Sequence, residues 1–252
     1  MTGKALIIPL VLMTASACSK EDTTSVPPEY RDTEVPRTPS DIEAEPSSVE
    51  EETTGSQALV YTEEREACAD HDPLKRALFG DLHVHTQLSF DAWTNDVRTT
   101  MDQAYAFAKG EPVLLPPLDF EGKGTRSVQL ERPLDFVALT DHAEFLAETT
   151  MCNDPESEAY TSTPCTNFNG QGVQGTAELG LLLTLIDPYR HAEICGEDGA
   201  RCREVAMRLW SDIQDAAERW YDRSSSCEMT TFVGYEYSGN TELSNYHRNV
   251  IF

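Results

Sequence analysis

The stretch FGDLHVHTQLSFDA, residues 79–92, decides how this chain is read. His83 and His85 stand two positions apart, and on an extended strand such positions project to one face. Two neutral imidazoles converging from one face offer two lone pairs to a single ion. The apolar run Ala77-Leu78-Phe79 leads in, and Thr86 to Asp91 turns the chain out again. In β/α architectures, a strand end that carries ligand-type residues and passes into a polar loop is where metal chemistry sits. Alone, the motif fits a strand with two partly exposed histidines equally well, because short motifs match by chance. The segments downstream tip that balance.

Leu134-Asp135-Phe136-Val137-Ala138-Leu139-Thr140 is a largely apolar run of strand length, as a strand buried on both faces would be, and it ends in Asp141-His142. Thr230 to Glu236 is predicted to be a third strand, ending in a carboxylate. A polar turn over residues 238–245 separates it from His247 and a fourth strand, Asn249 to Phe252. A hairpin of these last two strands would set His247 beside Glu236. A residue able to bind metal therefore recurs at each strand boundary.

The intervening sequence reads mainly as packing. Asp96 to Lys109 is predicted to be a helix, with Asp96 as N-cap, an apolar repeat at Met101, Ala104, Tyr105 and Ala108, and Gly110 to close it. Glu111 to Arg132 is loop or a short hairpin. Residues 143–229 are read as an insertion, with four cysteines before Ser226. Within it, Thr176 to Ile186 is an apolar helix stopped by Pro188. Arg201 to Tyr221 is an amphipathic helix with Val205, Leu209, Ile213, Ala217 and Trp220 on one face. His191 is assigned to the surface, and His71, between Asp70 and Asp72, to local hydrogen bonding.

The chain carries 44 acidic and 19 basic residues, a net charge of −25. Residues 19–72 alone hold 16 acidic and 4 basic residues with many Pro, Ser and Thr. Such a segment cannot bury enough apolar surface to offset its ordering entropy, so a disordered acidic linker is expected over 18–58. Leu59 to Asp72 is more mixed and able to pack onto the domain that follows. So acidic a chain is a poor partner for nucleic acid. At the start, Lys4 precedes an uncharged run from Ala5 to Ala17, too short for the about 20 residues of a membrane span. It fits a signal peptide over residues 1–17. Ala15-Ser16-Ala17-Cys18 resembles the lipobox of bacterial lipoproteins, which implies export, a lipid on Cys18 as membrane anchor and, with Ser19 next, the outer membrane facing the periplasm. The other six cysteines, Cys68, Cys152, Cys165, Cys195, Cys202 and Cys227, read as disulfides in an exported chain. Their connectivity is not deducible from sequence. Pairing of neighbours, Cys152 with Cys165 and Cys195 with Cys202, leaves Cys68 for Cys227.

Taken in order, His83-x-His85, Asp91, Thr140-Asp141-His142, Glu236 and His247 resemble the polymerase-and-histidinol-phosphatase (PHP) superfamily of metal-dependent hydrolases. The phrases FGDLHVHTQLSFDA, FVALTDHAEF, TTFVGYEYS and YHRNVIF look like a secreted bacterial branch of unknown function. The resemblance covers residues 59–252. It implies an α/β fold: an incomplete, distorted (β/α)7 barrel with about four of its seven strands and a helical, disulfide-containing insertion. It also implies two or three divalent ions, Zn, Mn or Fe, at the C-terminal rim. Carried over by position, His83, His85, Asp91, His142, Glu236 and His247 are the metal ligands, with Glu236 bridging. Asp141 either orients a ligand or moves protons.

The superfamily completes its site with a later histidine and a final Asp-x-His, and no such pair follows His247 here. An N-terminal piece of a longer protein is therefore expected. For the intact protein the resemblance implies hydrolysis of a small-molecule substrate, most commonly a phosphoester, by a water shared between ions and made acidic by them. The rival is a non-catalytic metal- or ligand-binding lipoprotein, or an inactive fragment.

Overall fold

The structure, a computed structural model, describes residues 65–252 except positions 75, 171, 241, 243 and 245. The predicted signal peptide, the lipidation site Cys18 and the linker lie outside the described residues. The described residues, 65–252, belong to one compact unit.

The histidine motif forms β1 (Gly80–Val84), and its polar exit is capped by a short helix, α1 (Phe90–Thr94). Next comes α2 (Met101–Ala108), shorter than the predicted Asp96–Lys109 helix. Thr100 and Gln103 start it by bonding each other's backbone N–H, a reciprocal capping box. Asp96, at φ 64°, lies five residues before the first helical residue, so Thr100 and not Asp96 is the cap. Gly110 terminates the helix at φ 92°, as expected. The stretch left as loop or hairpin is a hairpin, β2 (Val113–Leu118) with β3 (Gly124–Val128).

β4 (Phe136–Leu139) is the apolar run, and Val137, Ala138 and Leu139 are all buried. It pairs in parallel with β1, Gly80 opposite Phe136 and Val84 opposite Leu139. Gly80 is required by that approach, since a Cβ there would lie 2.1 Å from the Phe136 carbonyl oxygen. We expect Gly80→Ala to lower unfolding stability by about 1–3 kcal/mol through overpacking. An unchanged denaturant midpoint would show that the strands can separate at no cost.

The insertion is helical: α3 (Leu146–Asn153), α4 (Thr163–Phe168), α5 (Gly172–Gly180), α6 (Ala192–Cys195) and α7 (Ala200–Trp220). α7 matches the predicted amphipathic helix to within a residue, and Val205, Leu209, Ile213 and Ala217 are buried. The apolar helix expected over 176–186 starts earlier and breaks at Gly180, continuing as a 3-10 turn over Leu181–Thr184. Glycine at the junction weakens helix continuation. The three disulfides join Cys152 to Cys165, Cys195 to Cys202 and Cys68 to Cys227, the expected pairs. The first two lie buried in one apolar core with Phe145, Phe168, Leu179 and Ile194. A second core, with Tyr105, Val137, Leu139 and Met229, packs α2 and α7 on the sheet.

The expected third strand is in fact two. β5 (Thr230–Phe232) extends the parallel sheet in the order β1-β4-β5. After Val233, β6 (Gly234–Ser238) leaves it to form an antiparallel hairpin with β7 (His247–Ile251). A single parallel bridge between His142 and Glu236 keeps β6 continuous with the end of β4. The fold is thus mixed α/β, with a small parallel sheet, flanking helices and one rim where β1, β4 and β6 deliver their polar ends. Among the described residues, no helix is long and apolar enough to cross a membrane.

Candidate metal centre

Each predicted ligand reaches that rim by its own local route. His83 lies in β1, His85 directly follows it, and Asp91 lies in the first turn of α1 one short loop later. His142 follows β4, Glu236 lies within β6, and His247 starts β7. The six side chains come together as three overlapping groups: His83, His85 and Glu236; His85, Asp91 and His142; His142, Glu236 and His247. Within each group, all donor atoms lie within 4.8 Å of one another.

Glu236 is the hub. Only 2% of its side chain is exposed, yet Oε2 lies 2.7 Å from His85 Nε2 and 3.0 Å from His83 Nε2, and Oε1 lies 2.6 Å from His247 Nδ1. Oε2 is also 3.8 Å from His142 Nε2. Asp91 is the second anion, with Oδ1 3.2 Å from His85 Nδ1 and Oδ2 3.6 Å from His142 Nε2. Two donors each about 2.1 Å from one ion at a tetrahedral angle stand about 3.4 Å apart. The observed spacings bracket that value, so small side-chain adjustments suffice to receive divalent ions. Mixed imidazole and carboxylate donors suit Zn, Mn or Fe.

Electrostatics point the same way. Burial works against charge on His142, but hydrogen bonds to Asp91 and Glu144 and the charges of Asp91 and Glu236 outweigh it and push its pKa up to about 10. His85 is raised too, burial being outweighed by Asp91. Asp91 and Glu236 are held below the ordinary carboxylate range: burial opposes this, but the surrounding histidines overcome it. The site therefore demands positive charge, and protons supply it when no metal does. A raised histidine pKa means the metal-free fold gains stability from the proton fully below about pH 6.5 and loses it as pH rises towards 10. A metal must expel that proton to use the lone pair. We therefore expect affinity for Zn or Mn to rise about tenfold per pH unit between about pH 6.5 and 8.5, with proton release on binding. Calorimetry in buffers of different ionisation enthalpy reads both. A pH-independent affinity would mean that His142 is not a ligand.

Asp141 takes a different place. It is buried, and its two oxygens accept from Thr86 N–H at 2.5 Å and Thr86 Oγ1 at 2.8 Å. Burial pushes its pKa up to about 6 against those hydrogen bonds. It stands outside the three donor groups and ties the loop after β1 to the end of β4. Of the two roles open to it, this placement fits the orienting of ligands.

Three further residues complete the shell. Ser89 Oγ donates to Asp91 Oδ1 at 2.7 Å, lies 3.1 Å from His85 Nδ1 and accepts from His142 N–H at 3.1 Å. Ser238 Oγ sits 2.9 Å from His142 Nδ1 and 3.1 Å from His247 Nδ1. Glu144 Oε1 accepts from Ser238 N–H at 2.6 Å, and its Oε2 is 3.5 Å from His142 Nδ1. Such partners would fix which imidazole nitrogen is presented to a metal ion. Ser89 lies inside the opening motif, so its proximity to the ligands is a usable sequence signal. Glu144 and Ser238 also lie inside the quoted phrases, each two residues from a ligand, but nothing local shows that they meet each other.

The two excluded histidines stay outside the cluster. His71 is exposed. His191, assigned to the surface, is mostly covered instead: Nε2 lies 3.5 Å from Glu178 Oε1, and the ring abuts Tyr189. Glu178 of α5 and the Tyr189 ring cover most of it, contacts that residue order does not reveal. A fourth group, Glu148 with Cys195 and Cys202, has the spacing of a site but not its chemistry, because the two sulfurs are bonded to each other.

A family model described as "Protein of unknown function (DUF3604)" matches residues 72–252. No curated protein and no solved structure matches the chain.

Proposed function

The chain belongs to the DUF3604 family of unknown function, and for this member we propose metal-dependent hydrolysis, with a phosphoester as the first substrate class. One observation carries the reading: six ligand-type side chains from four separated segments converge on one rim, with a buried carboxylate at their centre. Imidazole and carboxylate donors together suit Zn, Mn or Fe, and two-metal hydrolytic sites place two ions close enough to act on one substrate. His83, His85, Asp91, His142, Glu236 and His247 would hold two or three ions, with Glu236 shared. When bound, such ions supply an acidic water as nucleophile and positive charge for the developing oxyanion.

The protein's own part is geometric. Ser89, Ser238 and Glu144 hold the imidazoles in one orientation, and Asp141 holds the β1 and β4 ends in register through Thr86. His83 and His247 are the more open ligands, with side chains 57% and 35% exposed, so substrate approaches from their side. The same arrangement supports kinship with the PHP superfamily. On that reading, the parallel strands β1, β4 and β5 with β6 form part of a (β/α)7 barrel. Export and lipid attachment at Cys18 belong to the same proposal, and the disulfides are compatible with them.

The test is phosphate release from 4-nitrophenyl phosphate by the full chain reconstituted with Zn, Mn or Fe, alongside its metal content. Metal-dependent turnover lost in His85→Ala supports the hydrolase. Stoichiometric metal without turnover on any phosphoester supports the non-catalytic metal-binding reading instead.

A further inference from the structure

The three disulfides differ in what surrounds their sulfurs. Cys152, Cys165, Cys195 and Cys202 are no more than 3% exposed and lie in the insertion core, so a thiol reaches them only when that core opens. At Cys195 the polar neighbour is the Glu148 carboxylate, with Oε1 3.3 Å from the sulfur, which disfavours a second negative charge there. Cys68 and Cys227 are only partly buried, and a cation sits on them. Arg65 Nη2 lies 3.4 Å from Cys68 Sγ and 3.1 Å from Cys227 Sγ. The guanidinium is steadied by the Tyr221 hydroxyl, which accepts from Nη1 at 3.0 Å, and by the Tyr221 ring at 5.7 Å. Disulfide exchange needs access for the incoming thiolate, and it runs faster when the departing sulfur is a stabilised thiolate. Of the three bridges, Cys68–Cys227 meets both conditions.

The two sides of this bridge are held differently. Around Cys227 the chain ties itself: the Asp222 carboxylate accepts from Ser224 N–H at 3.0 Å, from Ser224 Oγ and Ser226 Oγ at 2.7 Å, and from Glu228 N–H at 2.8 Å. Asp222 N–H in turn donates to Met229 O, just before β5. The strap on the Cys68 side, residues 65–72, meets this loop at the surface through Glu66 N–H to Arg223 O and Ala69 N–H to Ser225 O. Opening the bridge therefore loosens the strap and leaves Cys227 in place to close it again.

We propose that Cys68–Cys227 is a thiol–disulfide exchange site at which a dithiol releases residues 65–72 from the domain. One thiolate of the dithiol bonds to either sulfur as the S–S bond breaks, and the electron pair leaves on the other sulfur, beside Arg65. The second thiolate of the dithiol then displaces the first. The dithiol departs as a disulfide, and two electrons and two protons have passed to Cys68 and Cys227. The same steps in reverse, with an oxidised dithiol, close the bridge.

The test treats the full chain with dithiothreitol under native conditions, traps thiols by alkylation and maps them by peptide mass spectrometry. Cys68 and Cys227 should be labelled at least about tenfold faster than the other four cysteines of the bridges. Arg65→Gln should slow that labelling roughly fivefold and leave the other four unchanged, whereas Arg65→Lys, which keeps the charge, should restore most of the rate. Amide hydrogen exchange at Glu66 and Ala69 should rise in step with the labelling, because their bonds to Arg223 and Ser225 open once the strap is free. Equal labelling of all six cysteines, or an Arg65→Gln rate equal to that of the unaltered protein, would overturn the exchange site. Labelling of the pair with no rise in exchange at Glu66 and Ala69 would overturn the release.

Discussion

Replacing Glu236 by glutamine is expected to cost about 100-fold or more in divalent-metal affinity while leaving the fold in place. Loss of groups that merely orient ligands typically costs about 10–100-fold, and Glu236 touches His83, His85 and His247 directly. The amide keeps the size and one acceptor oxygen but removes the negative charge at the hub. The raised basicity of His142 should fall with it, since Glu236 is one of the charges holding its proton. Titration with Zn and far-UV circular dichroism would separate the two effects. Native-like affinity in a folded Glu236→Gln protein would remove the hub from the site. His191→Ala should leave metal affinity unchanged, because His191 pairs with Glu178 away from the cluster.

The second large effect concerns the Cys68–Cys227 bridge, which closes a loop of 159 residues in sequence. The chain-entropy account gives about 5 kcal/mol for a loop of that length. Among the described residues, the other attachments of residues 65–72 to the segment around Cys227 lie at the surface: Glu66 N–H to Arg223 O, Ala69 N–H to Ser225 O, Ser225 N–H to the Glu66 carboxylate, and Arg65 bonded to the Tyr221 hydroxyl and lying over its ring. Removing the bridge with Cys68→Ala and Cys227→Ala therefore loses little packing and acts mainly on the unfolded chain. A domain is stable by about 5–15 kcal/mol in all, so the expected loss is a large fraction of the whole. Denaturant unfolding of the double variant tests it. A loss under about 1 kcal/mol would mean that residues 65–72 detach before the domain unfolds.

What the sequence reveals follows from how local each determinant is. The α7 stripe of Val205, Leu209, Ile213 and Ala217 is a pattern within one element, and it survives folding intact. The His247–Glu236 contact was accessible because a hairpin turn joins neighbours in sequence. The break between β5 and β6 was not. Thr230 to Glu236 has unbroken strand chemistry, but at Gly234 a Cβ would stand about 3 Å from Ile251 Cδ1 and the Val250 oxygen. Packing against β7 therefore decides where the chain leaves the sheet, a contact residue order alone does not contain. The start of α2 is an intermediate case: Thr100-x-x-Gln103 carries the capping signal, and it outweighs Asp96 once both its hydrogen bonds form.

The site divides along the same line. His83, His85 and Asp91 advertise themselves by spacing, and His142, Glu236 and His247 by their places at strand boundaries. The contact between Ser238 and Glu144 is invisible beforehand, although each lies two residues from a ligand, because 94 residues separate them and they meet only after β6 docks on the turn following β4. Asp141 illustrates the limit of reading a residue by its neighbour: adjacent to a ligand in sequence, its carboxylate faces Thr86.

That six side chains share one metal centre is tested most directly by a crystal structure of the metal-loaded protein with anomalous scattering at the metal edge. Ions should lie between β1, β4 and β6, with donors of His83, His85, Asp91, His142, Glu236 and His247 at about 2.0–2.2 Å and the Glu236 carboxylate contacting two of them. Anomalous peaks elsewhere, at His191 and Glu178 for example, or a protein that retains no ion at this rim after reconstitution, would contradict it.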